Sequence, residues 1–292
     1  MYYIVYGFLW LISLLPLRVL YLLSECFYGL AFYIVKYRKK VVMSNLLIAF
    51  PEKTEKERIK IAKKFYRNFI DMFMETIKML SVSDKQLTRR FAGNWDLVND
   101  LYPTGKSVQF HVGHNFNWEW GNMVLTRSTV YKLLAVYMPF TNKVMERLFY
   151  KLRTRNGATF LRATHMKEDF LPHKNSQYIL GLVADQSPGY PGNAWWFNFF
   201  GRPTPFLKGP AKAAITNDTA VIFAFVHKPK RGYYEAVLEL ATVNPGSFTE
   251  QELTRQFVIY LEKVIREYPD MWLWSHRRWK WDWKPEFGEI LA

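Results

Sequence analysis

The sharpest chemical feature of the chain is a pair five residues apart, His114 and Glu119, in the segment Phe110-His111-Val112-Gly113-His114-Asn115-Phe116-Asn117-Trp118-Glu119. An imidazole gains and loses its charge near neutral pH, and a neighbouring carboxylate can fix its tautomer, so the two together suit general-base chemistry. On one continuous helix, residues five apart stand about 140° out of phase. Contact therefore requires His114 in a turn before a helix, with Glu119 reaching back from the first helical turn. The local sequence allows this. An apolar strand runs into Gly113, which tolerates a sharp turn, and Asn115 or Asn117 can cap the helix that follows. The helix N-terminus disfavours a cationic imidazole and the carboxylate favours it, a balance suited to a base.

No serine or cysteine nucleophile accompanies the pair. There is no Gly-x-Ser-x-Gly, and the single cysteine, Cys26, lies in an apolar stretch that would keep its thiol protonated. A base and its orienting partner without a protein nucleophile imply that the substrate brings one, such as a lipid hydroxyl. Two other readings stay open. His111, His114 and Glu119 are zinc-compatible ligands, although His111 and His114 would point to opposite faces of a strand and no His-Glu-x-x-His is present. His114 is also readable as a purely structural residue.

The elements that must position this pair are legible as texture. Apolar runs at Ser107–Val112, Val130–Tyr137, Tyr178–Ala184, Ala220–Val226 and Tyr233–Leu240 read as strands. Helical stretches lie near Asn117–Thr126, Asn142–Arg153, Lys208–Thr216 and Glu250–Tyr268. Their alternation predicts an α/β fold: a mixed, largely parallel sheet flanked by helices on both faces, with ligand chemistry at the carboxyl ends of strands. Before that core, apolar residues at three- and four-residue steps from Glu55 to Leu80 predict a helix covering the core.

The N-terminus reads as a membrane anchor. Residues 2 to 17 carry no charge, residues 19 to 35 are nearly as apolar, and Lys36-Tyr37-Arg38-Lys39-Lys40 follows. This predicts one membrane-inserted helix in the first 35 residues, retained because it lacks a basic leader and a small-residue cleavage site, with its C-terminal end cytoplasmic. Three segments result: an anchor at 1–35, a basic helical segment at 36–105, and an α/β core at 106–292. The chain of 292 residues is half hydrophobic, which supports a substantial core, and its net charge of +15 calls for an acidic partner. Basic and aromatic neighbours can bind single-stranded nucleic acid, but no nucleic-acid motif is present and the anchor argues against that partner.

With these residues in view, the sequence resembles the bacterial lipid A secondary acyltransferase family, from about residue 15 to 280. The resemblance rests on the anchor, Asn45-Leu46, Phe50-Pro51-Glu52, the His-x4-Glu pair, Tyr137-x-Pro139-x-x-Asn142 and Arg153-Thr154-Arg155. It continues through Asp185-Gln186, Phe199-Phe200-Gly201, Gly209-Pro210-Ala211 and Trp272-Leu273-Trp274-Ser275-His276-Arg277-Arg278. It implies transfer of an acyl chain from acyl carrier protein to a hydroxyl of lipid A or its precursor, with no cofactor. His114 would be the general base and Glu119 its partner. Arg153 would stabilise an oxyanion or hold a phosphate, and Arg155, Asp185, Gln186, Arg277 and Arg278 would line the substrate site. The basic charge would then serve acidic acyl carrier protein, the anionic acceptor and the cytoplasmic face of the inner membrane. The loops after Arg155 (Asn156-Gly157) and after Gln186 (Ser187-Pro188-Gly189) depart from the family's pattern, which leaves another glycolipid, phospholipid or aminolipid as the alternative acceptor. Arg277 and Arg278 also read as surface arginines stacked in an aromatic belt with the neighbouring tryptophans.

Overall fold

The structure, a computed structural model, describes residues 1–291. Where one helix was expected at the N-terminus there are two, α1 (Tyr2–Leu14) and α2 (Leu17–Gly29), the second extended by a π-helical turn at Leu30–Ile34. The break falls at Leu15 and Pro16; proline lacks the N–H that would continue the helix and disfavours helical geometry in the residue before it. Residues Leu17–Ile34 are, by length and composition, apolar enough to cross a membrane.

Next come α3 (Lys39–Ala49) and α4 (Glu55–Lys78), the predicted core-covering helix. Thr54 and Glu57 start α4 with a reciprocal cap, each side chain bonding the other's backbone N–H. The short α5 (Asp84–Thr88), strand β1 (Phe91–Gly93) and α6 (Asp96–Asn99) lead into the core. Its alternating elements are β2 (Val108–Val112), α7 (Trp118–Ser128), β3 (Lys132–Tyr137), α8 (Lys143–Thr154), β4 (Thr159–Arg162), α9 (Met166–Phe170) and β5 (Tyr178–Val183). A hairpin of β6 (Ala194–Phe199) and β7 (Arg202–Leu207) intervenes before α10 (Gly209–Thr216), β8 (Ala220–Lys230), β9 (Tyr233–Thr242), α11 (Glu250–Glu267) and β10 (Ile290–Leu291).

The main sheet has the order β1-β9-β8-β2-β5-β3-β4. The five strands from β8 to β4 run parallel, and β9 with β1 runs the other way. Helices α7 and α8 pack on one face and α11 on the other, so β2 is buried on both sides. The hairpin and β10 form a small second sheet that the sequence texture did not reveal. The tryptophans expected in a surface belt are largely core: Trp272, Trp274 and Trp279 are buried and pack on one another and on Phe199.

Candidate functional site

Strand β2 delivers its residues to two faces and its end to a third place. Gln109 and His111 face α11, where His111 lies edge-on to Phe257 and shares a 2.5 Å contact with the Gln109 amide. Burial pushes the His111 imidazole down to about 3, so it is neutral. Phe110 and Val112 face α7 instead. His114 lies past the strand end, in the turn before α7, and Asn117 caps that helix by accepting from the N–H groups of Glu119 and Trp120 at 3.1 and 3.2 Å. The expected strand–turn–helix is therefore present, with Glu119 in the first turn.

The expected contact between His114 and Glu119 is replaced by two separate pairs. His114 Nδ1 meets Asp185 Oδ1 at 2.6 Å, and the His114 backbone N–H donates to Asp185 Oδ2 at 2.8 Å. The cause is register: β2 and β5 are parallel neighbours with Val112 opposite Val183, so the residues just past each strand end come together. The Trp272 indole N–H donates to the same carboxylate at 2.6 Å. Burial opposes ionisation of Asp185, but the His114 charge and these hydrogen bonds outweigh it and hold the carboxyl at about 2. With Nδ1 facing an ionised carboxylate, His114 carries its proton there and leaves Nε2 as the acceptor. That atom meets the Gln186 amide nitrogen at 3.1 Å.

Glu119 instead pairs with Arg153 near the end of α8. Arg153 Nε donates to Glu119 Oε2 at 2.9 Å, a second guanidinium nitrogen holds Oε1, and the Glu119 side chain is almost wholly buried. The guanidinium lies over the Phe149 ring at 5.1 Å. The carboxylate thus has its charge matched by a planar fork, which orients it toward α8. Glu119 still touches the histidine's surroundings through Trp118, whose indole N–H donates to Glu119 at 3.2 Å and whose ring stands edge-on to His114 at 5.5 Å.

The other expected site residues divide. Gln186 joins His114 and Asp185. Arg155 turns away, capping the end of α4 through the carbonyls of Met79 and Val82. Arg278 is fully buried, donates to the Pro205 carbonyl at 2.9 Å and sits 4.3 Å over the Phe206 ring, so its charge is not open to a phosphate. Burial lowers its guanidinium to about 9. Arg277 is exposed, and its carbonyl accepts from Ser187 Oγ at 3.3 Å.

One residue escaped the sequence reading. Asn115 is buried between His114 and the cavity wall, and its side-chain amide nitrogen has no hydrogen-bond partner among the described residues. An orphaned buried donor is costly and calls for a reason. Its cavity is apolar, runs beneath α7 from Gly113, Asn115 and Trp118 toward Phe91 and Leu125, and holds about 540 Å³ counting its open mouth. The only sequence signal was the asparagine itself, which was read as a helix cap.

Comparison with known proteins adds the family. The model for bacterial lipid A biosynthesis acyltransferases matches residues 1–281. The lipid A biosynthesis palmitoleoyltransferase of Escherichia coli K12 is 23% identical over 286 residues, and the lauroyltransferase of the same organism is 23% identical over 276 residues. Each alignment covers 94% of this chain and 89% of the relative. The family model spans most of the chain, and the chain belongs to the bacterial lipid A biosynthesis acyltransferase family.

Proposed function

We propose that this chain transfers a fatty acyl group from acyl carrier protein thioester to a hydroxyl of lipid A or its precursor, at the cytoplasmic face of the inner membrane. The observation that carries the reading is the His114–Asp185 pair beside an apolar cavity lined by the neighbouring Gly113 and Asn115, with Nε2 of the imidazole, opposite the Gln186 amide, as the proton acceptor. The acyl chain lies in the cavity, whose wall of Phe91, Trp95, Phe110, Trp118 and Leu125 is apolar. Nε2 takes the proton from the acceptor hydroxyl as its oxygen attacks the thioester carbonyl. The Asn115 amide donates to the oxygen that becomes negative. Collapse of the tetrahedral species breaks the carbon–sulfur bond, and the departing thiolate takes the proton from the imidazolium. Atoms and charge balance without a cofactor.

The test is the purified enzyme with a panel of acyl carrier protein thioesters and lipid A precursor, with ester product read by mass spectrometry. Wild-type protein should form product, and His114→Ala should lose about 10²–10⁴-fold in kcat, the scale of general-base catalysis. Asn115→Ala should lose about 10²–10³-fold with little change in KM, as for other oxyanion donors. Esterification of a different lipid, with lipid A untouched, would move the acceptor. A His114→Ala enzyme of wild-type rate would overturn the mechanism.

A further inference from the structure

The N-terminal helices carry two unlike faces. Outward, Ile4, Phe8, Leu11, Leu22 and Ile34 are each more than 60% exposed, a surface that water does not favour. Inward, the same helices are fastened by polar bonds to the catalytic domain. On α1, the Tyr2 ring lies 4.1 Å under the Arg147 guanidinium of α8, Tyr6 lies 4.3 Å from Lys151, and the Ser13 and Leu15 carbonyls accept from Lys78 of α4 at 2.7 and 3.0 Å. On α2, Tyr21 donates to Glu75 at 2.7 Å, Ser24 donates to Asp71 at 2.6 Å, and Glu25 pairs with Arg67 and Arg231.

We propose that α1 and α2 enter one leaflet of an anionic bilayer side by side and that neither crosses it. A crossing helix would set Tyr2 and Lys36 on opposite sides of the membrane. Here both ends of the pair rest on one folded body: Tyr2 on α8, and the Tyr37 carbonyl on the Tyr66 hydroxyl of α4. At 1.5 Å per residue α1 spans only about 20 Å, short of the roughly 30 Å hydrocarbon core. Helix α2 with its π-helical turn, Leu17–Ile34, comes close to that length, but Glu25, Ser24 and their partners Asp71, Arg67 and Arg231 would have to enter hydrocarbon with it. The exposed basic residues Arg18, Lys36, Arg38 and Lys40 suit the phosphates at the rim of such a patch.

The test reads membrane geometry alone and is independent of the catalytic reading. In a Cys26→Ser background, one cysteine is added in a short hydrophilic tag before Met1, and in a second protein as Lys174→Cys, an exposed position of the catalytic domain. Bacterial spheroplasts and their lysates are treated with a membrane-impermeant maleimide. The two cysteines should behave alike, protected or reactive together. A tag that reacts in intact spheroplasts while Cys at 174 waits for lysis would overturn the proposal. Phe8→Glu and Leu22→Glu, both at exposed positions, should lower flotation of the purified protein with phosphatidylglycerol vesicles by about tenfold at unchanged Tm. Unaltered flotation of both variants would equally overturn it.

Discussion

Asp185 accepts three hydrogen bonds while shut away from water, and two of them come from His114. That makes it a positioning residue for the imidazole. Asp185→Asn keeps the shape but loses the charge and presents an N–H where Nδ1–H needs an acceptor. We expect kcat to fall by about 10²–10⁴ with KM little changed, following the behaviour of triad aspartates; equal loss in kcat and gain in KM would point to misfolding of the site instead. Glu119 and Arg153 make a second unit. Because each holds the other, Glu119→Ala and Arg153→Ala should slow turnover by similar factors, and the double variant should be little worse than either single one. Independent, multiplying losses in kcat would mean that the two act apart. Gly121 is the small residue in the cavity wall on α7, one helical turn past Trp118, and a methyl group there would meet the Phe91 ring at an ordinary 3.5 Å. Gly121→Ala should therefore fold and gain roughly 0.5–1 kcal/mol from helix propensity, while Gly121→Leu should fill the cavity and shift the preferred thioester to shorter chains. A chain-length profile unchanged by leucine would place the acyl group elsewhere.

Among the elements, α4 carries the most concentrated polar burial. Its Glu75 carboxylate accepts from Tyr21, Tyr234 and Asn117 at 2.6–2.9 Å, and its carbonyl accepts from the Trp120 indole. Burial raises this carboxyl, offset in part by the Tyr234 bond. Through Asn117 it steadies the cap of α7, the helix that follows His114. Glu75→Ala would orphan three donors in the core, and about 3 kcal/mol or more of stability should go with it, read as a lower midpoint in urea. The sequence read best where one element announces itself locally. The apolar run, Gly113 and Asn117 foretold the strand, turn and helix around His114, and the helices expected to begin at Glu55 and Glu250 match the starts of α4 and α11. It read poorly where neighbours are distant. Asp185 stands 71 residues beyond His114 and meets it only through the register of β2 and β5, so the nearer Glu119 drew the inference. Strands β1 and β4 have three and four residues at the sheet edges, too short to show a period. Strand β7 carries Pro203 and Pro205, which sequence reasoning treats as strand breakers but which an edge position tolerates.

At the scale of the molecule, buried His111 and half-buried His276 shape the response to acid. His111 sits at about 3 and His276 at about 4, both lowered first by burial, against 6.5 for an exposed imidazole. The unfolded chain therefore binds protons that the folded chain refuses, and stability falls as pH drops from about 6.5 toward 3, by a few kcal/mol in all. Asp185, ionised in the fold, adds to the loss as pH falls below 3.8 toward about 2. His111→Gln should flatten the upper part of that slope in thermal melts at pH 4 to 7; an unaltered slope would assign it to other groups. The cavity has a further consequence. Its far wall is built by Phe91, Trp95, Ala236 and Leu238, from β1, β9 and the turn between β1 and α6, whereas His114 and Asp185 hang from β2 and β5. On the proposed function, measuring a chain and breaking its thioester fall to different strands of one sheet, so segments around 91–95 and 236–238 are natural units to exchange with a relative when a new chain length is wanted and the chemistry is to stay as it is.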